Sequence, residues 1–180
     1  MSDGMPATMD AATGLTGEGA VLRFAGSELF DRTFQEGMAL VEEAAEYLDG
    51  AGRQESKLLS RNGALAYAGE SMKLTTRLMQ VASWLLVQRA VKEGDMTAEE
   101  ARQPRYRIGG RGAADPSAVP APTGPAEPLP DGLRELAERA ARLFERVTHL
   151  DRSMYANLPT ASDSPVRAQI DRLMQAFNAA

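Results

Sequence analysis

Apolar residues recur along this chain with the 3.6-residue period of amphipathic helices, and no stretch alternates with the two-residue period of a strand. From Ser27, a candidate N-cap, Phe30, Phe34, Gly37, Val41, Ala44, Ala45 and Leu48 fall on one stripe, widened by Leu29, Leu40 and Tyr47; Gly50 and Gly52 are expected to stop this first helix. A second helix is predicted to begin between Glu55 and Ala64 and to run to Glu93, where Gly94 ends it. Its apolar surface is double. Leu65, Ala68, Met72, Thr75, Met79, Ala82 and Leu86 follow a three-four spacing, and Leu74, Leu78, Val81 and Leu85 run beside them. A surface helix needs an apolar face of little more than about 100°, so this one is expected to be covered on two sides, by the centre of a bundle, by a second copy of the chain, or by both.

Thr97 and Glu100 read as a capping box opening a short helical turn that Pro104 closes. Seven prolines between Pro104 and Pro130 then remove backbone donors and leave little to bury, which predicts a disordered link over 104–130. Asp131 caps a third helix with Leu133, Leu136, Ala137, Ala140, Leu143, Phe144, Val147 and Leu150 on one face. Glu135 with Arg139, and Glu138 with Arg142, form i,i+4 pairs. Ser164 before Pro165 starts a short final element that places Val166, Ile170, Leu173, Met174 and Phe177 together.

The expectation is an all-α protein: an antiparallel three-helix bundle over residues 23–155, interrupted by the link. It is preceded by a disordered tail over 1–22, too poor in large apolar residues to offset its ordering cost. A flexible tail over 156–180 carries the short helix. Acids crowd the first helix and bases the second, which favours their pairing as a hairpin.

Composition narrows the function. The 180 residues carry a net charge of -5, no cysteine and one histidine. Disulfides are impossible, a structural zinc site lacks its usual ligands, and the charge offers no general basic footprint for nucleic acid. His149 follows Arg146 rather than the glutamate of a di-iron motif and reads as a rim residue of the third helix. No signal peptide or membrane-spanning run is evident, so the cytoplasm is the expected location. No catalytic, metal or cofactor residues stand out.

Contact surfaces are better candidates. Glu42, Glu43 and Glu46 form an acidic face that is either simply solvated or docks a basic partner. Arg102, Arg105, Arg107 and Arg111 read as part of a soluble linker, with an anionic partner as the alternative. Trp84 falls on the wheel with Lys73, Arg77, Gln80 and Gln88, beside Val87 and Val91. It is either an exposed binding anchor or packed against the third helix or the Thr97 turn.

The segments SELFDRTFQEGMALVEEAAEYLDGAGR (27–53) and ALAYAGESMKLTTRLMQVASWLLVQRAVKEG (64–94) resemble the bacterial regulator of CtrA degradation (RcdA) family. Combinations such as EGM, YLDG, ESM, LTTRLMQ and ASWLL are not dictated by bundle physics, and they carry the resemblance. It implies a dimeric three-helix bundle with a disordered C-terminal tail. It also implies a non-enzymatic adaptor that brings cargo such as cell-cycle regulators to the ClpXP protease once another regulator has primed it. On that reading Glu42, Glu43, Glu46, Arg77, Trp84, Val87, Val91, Val166, Ile170, Leu173 and Phe177 are the partner-binding candidates, with no nucleic acid or membrane involved. The alternative is a dimeric, chaperone-like helical protein acting without the protease. The Ala179–Ala180 end is like the double-alanine ends that this unfoldase recognises, although chance explains it as well.

Overall fold

A computed structural model describes residues 18–110 and 128–155, all of them in helices, turns and connecting loops. The helices are α1 (Glu18–Ala25), α2 (Glu28–Asp49), α3 (Ala51–Ser56), α4 (Arg61–Glu93), α5 (Ala98–Ala101) and α6 (Asp131–Tyr155), with a 3-10 turn at Pro104–Tyr106. The all-α expectation is met, and α2, α4 and α6 are the three long helices foreseen.

Ser27 caps α2 as its sequence suggests: its Oγ accepts from the Phe30 N–H at 3.2 Å. The same hydroxyl donates to the Phe24 carbonyl at 2.7 Å and so ties α2 to α1. Helix α1 corrects the N-terminal boundary. Residues 18–22, expected in a disordered tail, are helical, and Val21 is fully buried. Three large apolar residues cannot hold an isolated helix of eight residues. Here Phe24 packs its ring 5.7 Å from both Phe30 and Trp84, so the bundle supplies the missing burial. Residues 1–17 lie outside the described part.

Helix α2 buries Phe30, Thr33, Gly37, Leu40 and Ala44, whereas Leu29 and Ala45 face solvent. Gly37 is required by packing, because a Cβ there would sit 2.6 Å from Leu85 Cδ1 on α4. Gly50 ends α2, but Gly52 does not stop the chain: α3 follows at once. Gly52 is buried where a Cβ would meet Tyr67 Oη at 2.5 Å and Tyr47 Cε1 at 2.6 Å.

Ser60 caps α4 by accepting from the Gly63 N–H at 3.2 Å, and Gly94 closes it in the left-handed conformation, φ 82°. This 33-residue helix is roughly 50 Å long. It packs against α2, α6 and α1.

The bundle is not antiparallel throughout. Asp31 pairs with Lys92, and Gly37 meets Leu85, so α2 and α4 run in opposite directions. Glu43 pairs with Arg139 and Glu36 with Arg146, so α2 and α6 are also opposed. Helices α4 and α6 are therefore parallel, with Trp84 beside Asp151 and Gln88 beside Tyr155. A parallel pair needs a connection that returns the full length of the bundle, which gives the long link between them its physical reason.

Two further expectations change. The acids of α2 serve α6 more than α4, because Glu36 and Glu43 reach arginines on α6 and only Asp31 reaches α4 among the ion pairs of the described residues. Of the two pairs expected within the third helix, Glu138–Arg142 forms at 3.7 Å, while Arg139 turns to Glu43. The assigned disorder over 104–130 is also too long at both ends. Residues 104–110 form a strap laid on the bundle, and Leu129 packs against the core. The remainder, 111–127, lies outside the described residues, as do 156–180.

Candidate functional site

Thr97 and Glu100 form the expected capping box: each backbone N–H is accepted by the other residue's side chain. The box holds the Glu100 carboxyl below its usual range through its bonds from Thr97. It also launches α5 and the strap, whose Arg107 reaches Asp151 on α6 with both arms of its guanidinium. Nε lies 2.8 Å from Oδ1 and Nη2 lies 2.8 Å from Oδ2. Asp151 is only 3 % exposed, and Trp84 Nε1 donates to the same Oδ1 at 2.9 Å. Arg107 also lies 4.1 Å from the Tyr155 ring centroid. Burial pushes the Tyr155 hydroxyl up from its ordinary value. A buried carboxylate is tolerated only when paired and hydrogen-bonded, and both conditions hold here.

This cluster corrects two readings. Trp84, Val87 and Val91 are buried, Trp84 to 1 % exposure, so an exposed binding anchor at this position is overturned and packing against the third helix is what occurs. The wheel misleads because Gln88, one of the polar neighbours of Trp84, faces Tyr155 on α6, and the indole N–H itself is satisfied by Asp151. Arg107, read as part of a soluble linker, holds that linker's first turn to the bundle. A cavity of about 280 Å³ lies between strap and helix, lined by Met79, Ser83, Trp84, Tyr106 and Ile108 among others.

At the opposite end of the bundle, Tyr47 donates to Glu55 Oε2 at 2.6 Å and packs over Gly132. Burial first, and then the Glu55 carboxylate, push the Tyr47 hydroxyl far above the usual phenol range. Burial also raises Tyr67. The acidic face stands next to this end. Glu42, Glu43 and Glu46 are exposed, and Glu43 spends its charge on Arg139 at 2.7 Å. Arg77, on α4, lies 3.9 Å from Glu70 on its own helix, well away from these acids in the chain.

The second apolar stripe of α4 is what the bundle leaves open. Leu65 is 58 % exposed, Met72 60 %, Met79 68 % and Leu86 52 %. Ala68 and Thr75, between them, are exposed as well. Of the two coverings expected for this helix, the described bundle supplies one: α2 and α6 hide Leu74, Leu78, Val81 and Leu85, and the other stripe is exposed among the described residues. Its a/d heptad spacing is the geometry of a helix–helix seam. The spacing was legible in the sequence, whereas its exposure was not. The Asp151–Arg107 pair gave no such signal, because its partners lie 44 residues apart. Val166, Ile170, Leu173 and Phe177 lie outside the described residues.

Among the described residues, no group of three or more His, Cys, Asp or Glu is arranged to hold a metal ion, and no helix is long and apolar enough to cross a membrane.

Comparison with known proteins places the chain. The family described as "Protein of unknown function (DUF1465)" matches residues 21–177. Among curated proteins, none matches. Among solved structures, the crystal structure of RcdA from Caulobacter crescentus CB15 is similar, with 58% sequence identity and a TM-score of 0.61 over 76% of this chain and 99% of that one. With identity at that level across nearly all of that protein, and with the long helices where the shared sequence segments predict them, the chain belongs to the RcdA family.

Proposed function

We propose that this chain is a non-enzymatic adaptor that tethers cell-cycle regulator cargo to the primed ClpXP protease, and that it works as a homodimer joined along the open stripe of α4. The observation that carries the adaptor role is the 58% identity to RcdA over 99% of its chain. The exposed heptad seam is what supports self-association. Large residues at Leu65, Met72, Met79 and Leu86 alternate with small ones at Ala68, Thr75 and Ala82, each followed by Gly69, Thr76 or Ser83. A twofold contact must be self-complementary. An antiparallel pairing of two α4 helices meets that demand, setting Met79 against the partner copy's small Thr75–Thr76 step, Met72 against Ala82–Ser83 and Leu86 against Ala68–Gly69.

The exposed carboxylates of Glu42 and Glu46 and the apolar residues Val166, Ile170, Leu173 and Phe177 are the surfaces offered to protease and cargo. Tethering raises the local concentration of cargo to about the millimolar range without any chemistry of the adaptor's own. The cytosol is the compartment this role requires.

The test is a reconstituted degradation assay with candidate cell-cycle regulators, ClpXP and its priming regulator, with and without this protein. Faster loss of at least one cargo, dependent on priming, is expected. Unchanged lifetimes for all of them, with no capture of the unfoldase, would leave the chaperone-like alternative standing. Truncation after Thr160 is expected to leave the bundle folded and to weaken delivery.

A further inference from the structure

Among the described residues no helix covers the α4 seam, and the chain's own C-terminal segment begins within reach of it. Because α4 and α6 are parallel, with Trp84 bonded to Asp151 and Gln88 to Tyr155, the chain leaves α6 at the level of Leu86, the last large residue of the seam. Residues 156–180 follow. Ten residues lie between Tyr155 and Val166, and the eleven steps they make span about 35 Å when extended. Rounding α4 needs only its diameter of about 10–12 Å.

A segment that turned back from Tyr155 would run antiparallel to α4. Its apolar residues Val166, Ile170, Leu173 and Phe177 keep the same four-three-four spacing as Leu86, Ala82, Met79 and Thr75 read in reverse. One register satisfies all four positions: Val166 beside Leu86, Ile170 over Ala82, Leu173 beside Met79 and Phe177 over Thr75. As helices the two stretches have equal length, about 17 Å. Phe177 and Ile170 fall over the small seam residues Thr75 and Ala82, the kind of large-on-small alternation that close helix packing uses. The match to the family, which runs to residue 177, takes in this segment.

We infer that residues 164–177 dock in cis on the α4 seam and compete there with a second copy of the chain. The inference rests on the reading of that seam as the self-contact. Docking in cis is favoured by an effective concentration near the millimolar range, so even a weak contact occupies the seam for much of the time. Dimerisation needs both seams vacant, and its apparent dissociation constant therefore rises as the inverse square of the vacant fraction. Seams vacant about one third of the time weaken the dimer about tenfold. Reciprocally, a protein that captures the C-terminal segment frees the seam and promotes pairing.

The experiment is sedimentation equilibrium on three proteins: the full chain, the chain truncated after Thr160, and the full chain carrying Ile170→Asp with Phe177→Asp. Both altered proteins are expected to dimerise about tenfold more tightly than the full chain. Equal or weaker dimerisation in both overturns the competition. Met79→Asp in the truncated chain separates the two ideas, because a dimer that survives it shows the self-contact to lie elsewhere. The cis contact is then read directly. The chain has no cysteine, so Ala82→Cys combined with Ile170→Cys, oxidised at low micromolar concentration, is expected to give a faster-migrating monomer with an intrachain disulfide. Recovery of free thiols or of interchain dimers alone would refute docking in cis.

Discussion

The two apolar faces of α4 have nearly the same residue types and the same spacing, yet one is core and the other is surface. Leu74, Leu78, Val81 and Leu85 are at most 4 % exposed, while Leu65, Met72, Met79 and Leu86 are all more than half exposed. The difference comes from the partners that reach each face. Gly37 lets α2 approach within contact of Leu85, and α6 packs along the same helix, so the first face is sealed. No helix among the described residues lies over the second. Hydrophobic patterning reports that a face must be covered, but it does not report by what.

Mutation can break this contrast. The largest effect is expected at the sealed side, where Trp84→Ala removes the central indole and one donor to Asp151; a loss of about 3–5 kcal/mol is expected in urea unfolding. Arg107→Ala comes next. It leaves the buried Asp151 carboxylate with the Trp84 donor alone and should cost about 3 kcal/mol, part of it recovered when Asp151→Leu is added. Unchanged stability in Arg107→Ala would mean that the strap is not pinned.

Smaller still is the alkaline response. Tyr47, Tyr67 and Tyr155 have hydroxyls raised above the ordinary 10.0 by burial. A raised folded-state value favours the protonated form in the fold, so this stability is fully present below about pH 10 and is lost as pH climbs beyond it. Tyr47→Phe should flatten that alkaline limb of the unfolding profile. On the open side, Met79→Asp is expected to change monomer stability by no more than about 0.5 kcal/mol while abolishing self-association, read by sedimentation. A loss on the scale of Trp84→Ala would show that the seam is part of the monomer core.

The helix ends were legible because their signals are local. Ser27, the Thr97–Glu100 box and Gly94 all act as their residue types suggest. Trp84 was legible only as an oddity, since its indole N–H meets a carboxylate 67 residues away rather than solvent. Helix α1 was missed because eight residues with three large apolar positions gain their stability from packing on Trp84 and Phe30, not from themselves.

Periodicity and caps, which involve residues three or four apart, were enough to establish an all-helical chain with three long helices and a double-faced middle one. Only the tertiary structure decided that α4 and α6 run parallel, that Arg107 and Trp84 share one buried carboxylate, and which of the two faces stays open. Those outcomes depend on pairings tens of residues apart, where many arrangements bury the same apolar surface and the close fit of glycines, rings and charges selects one.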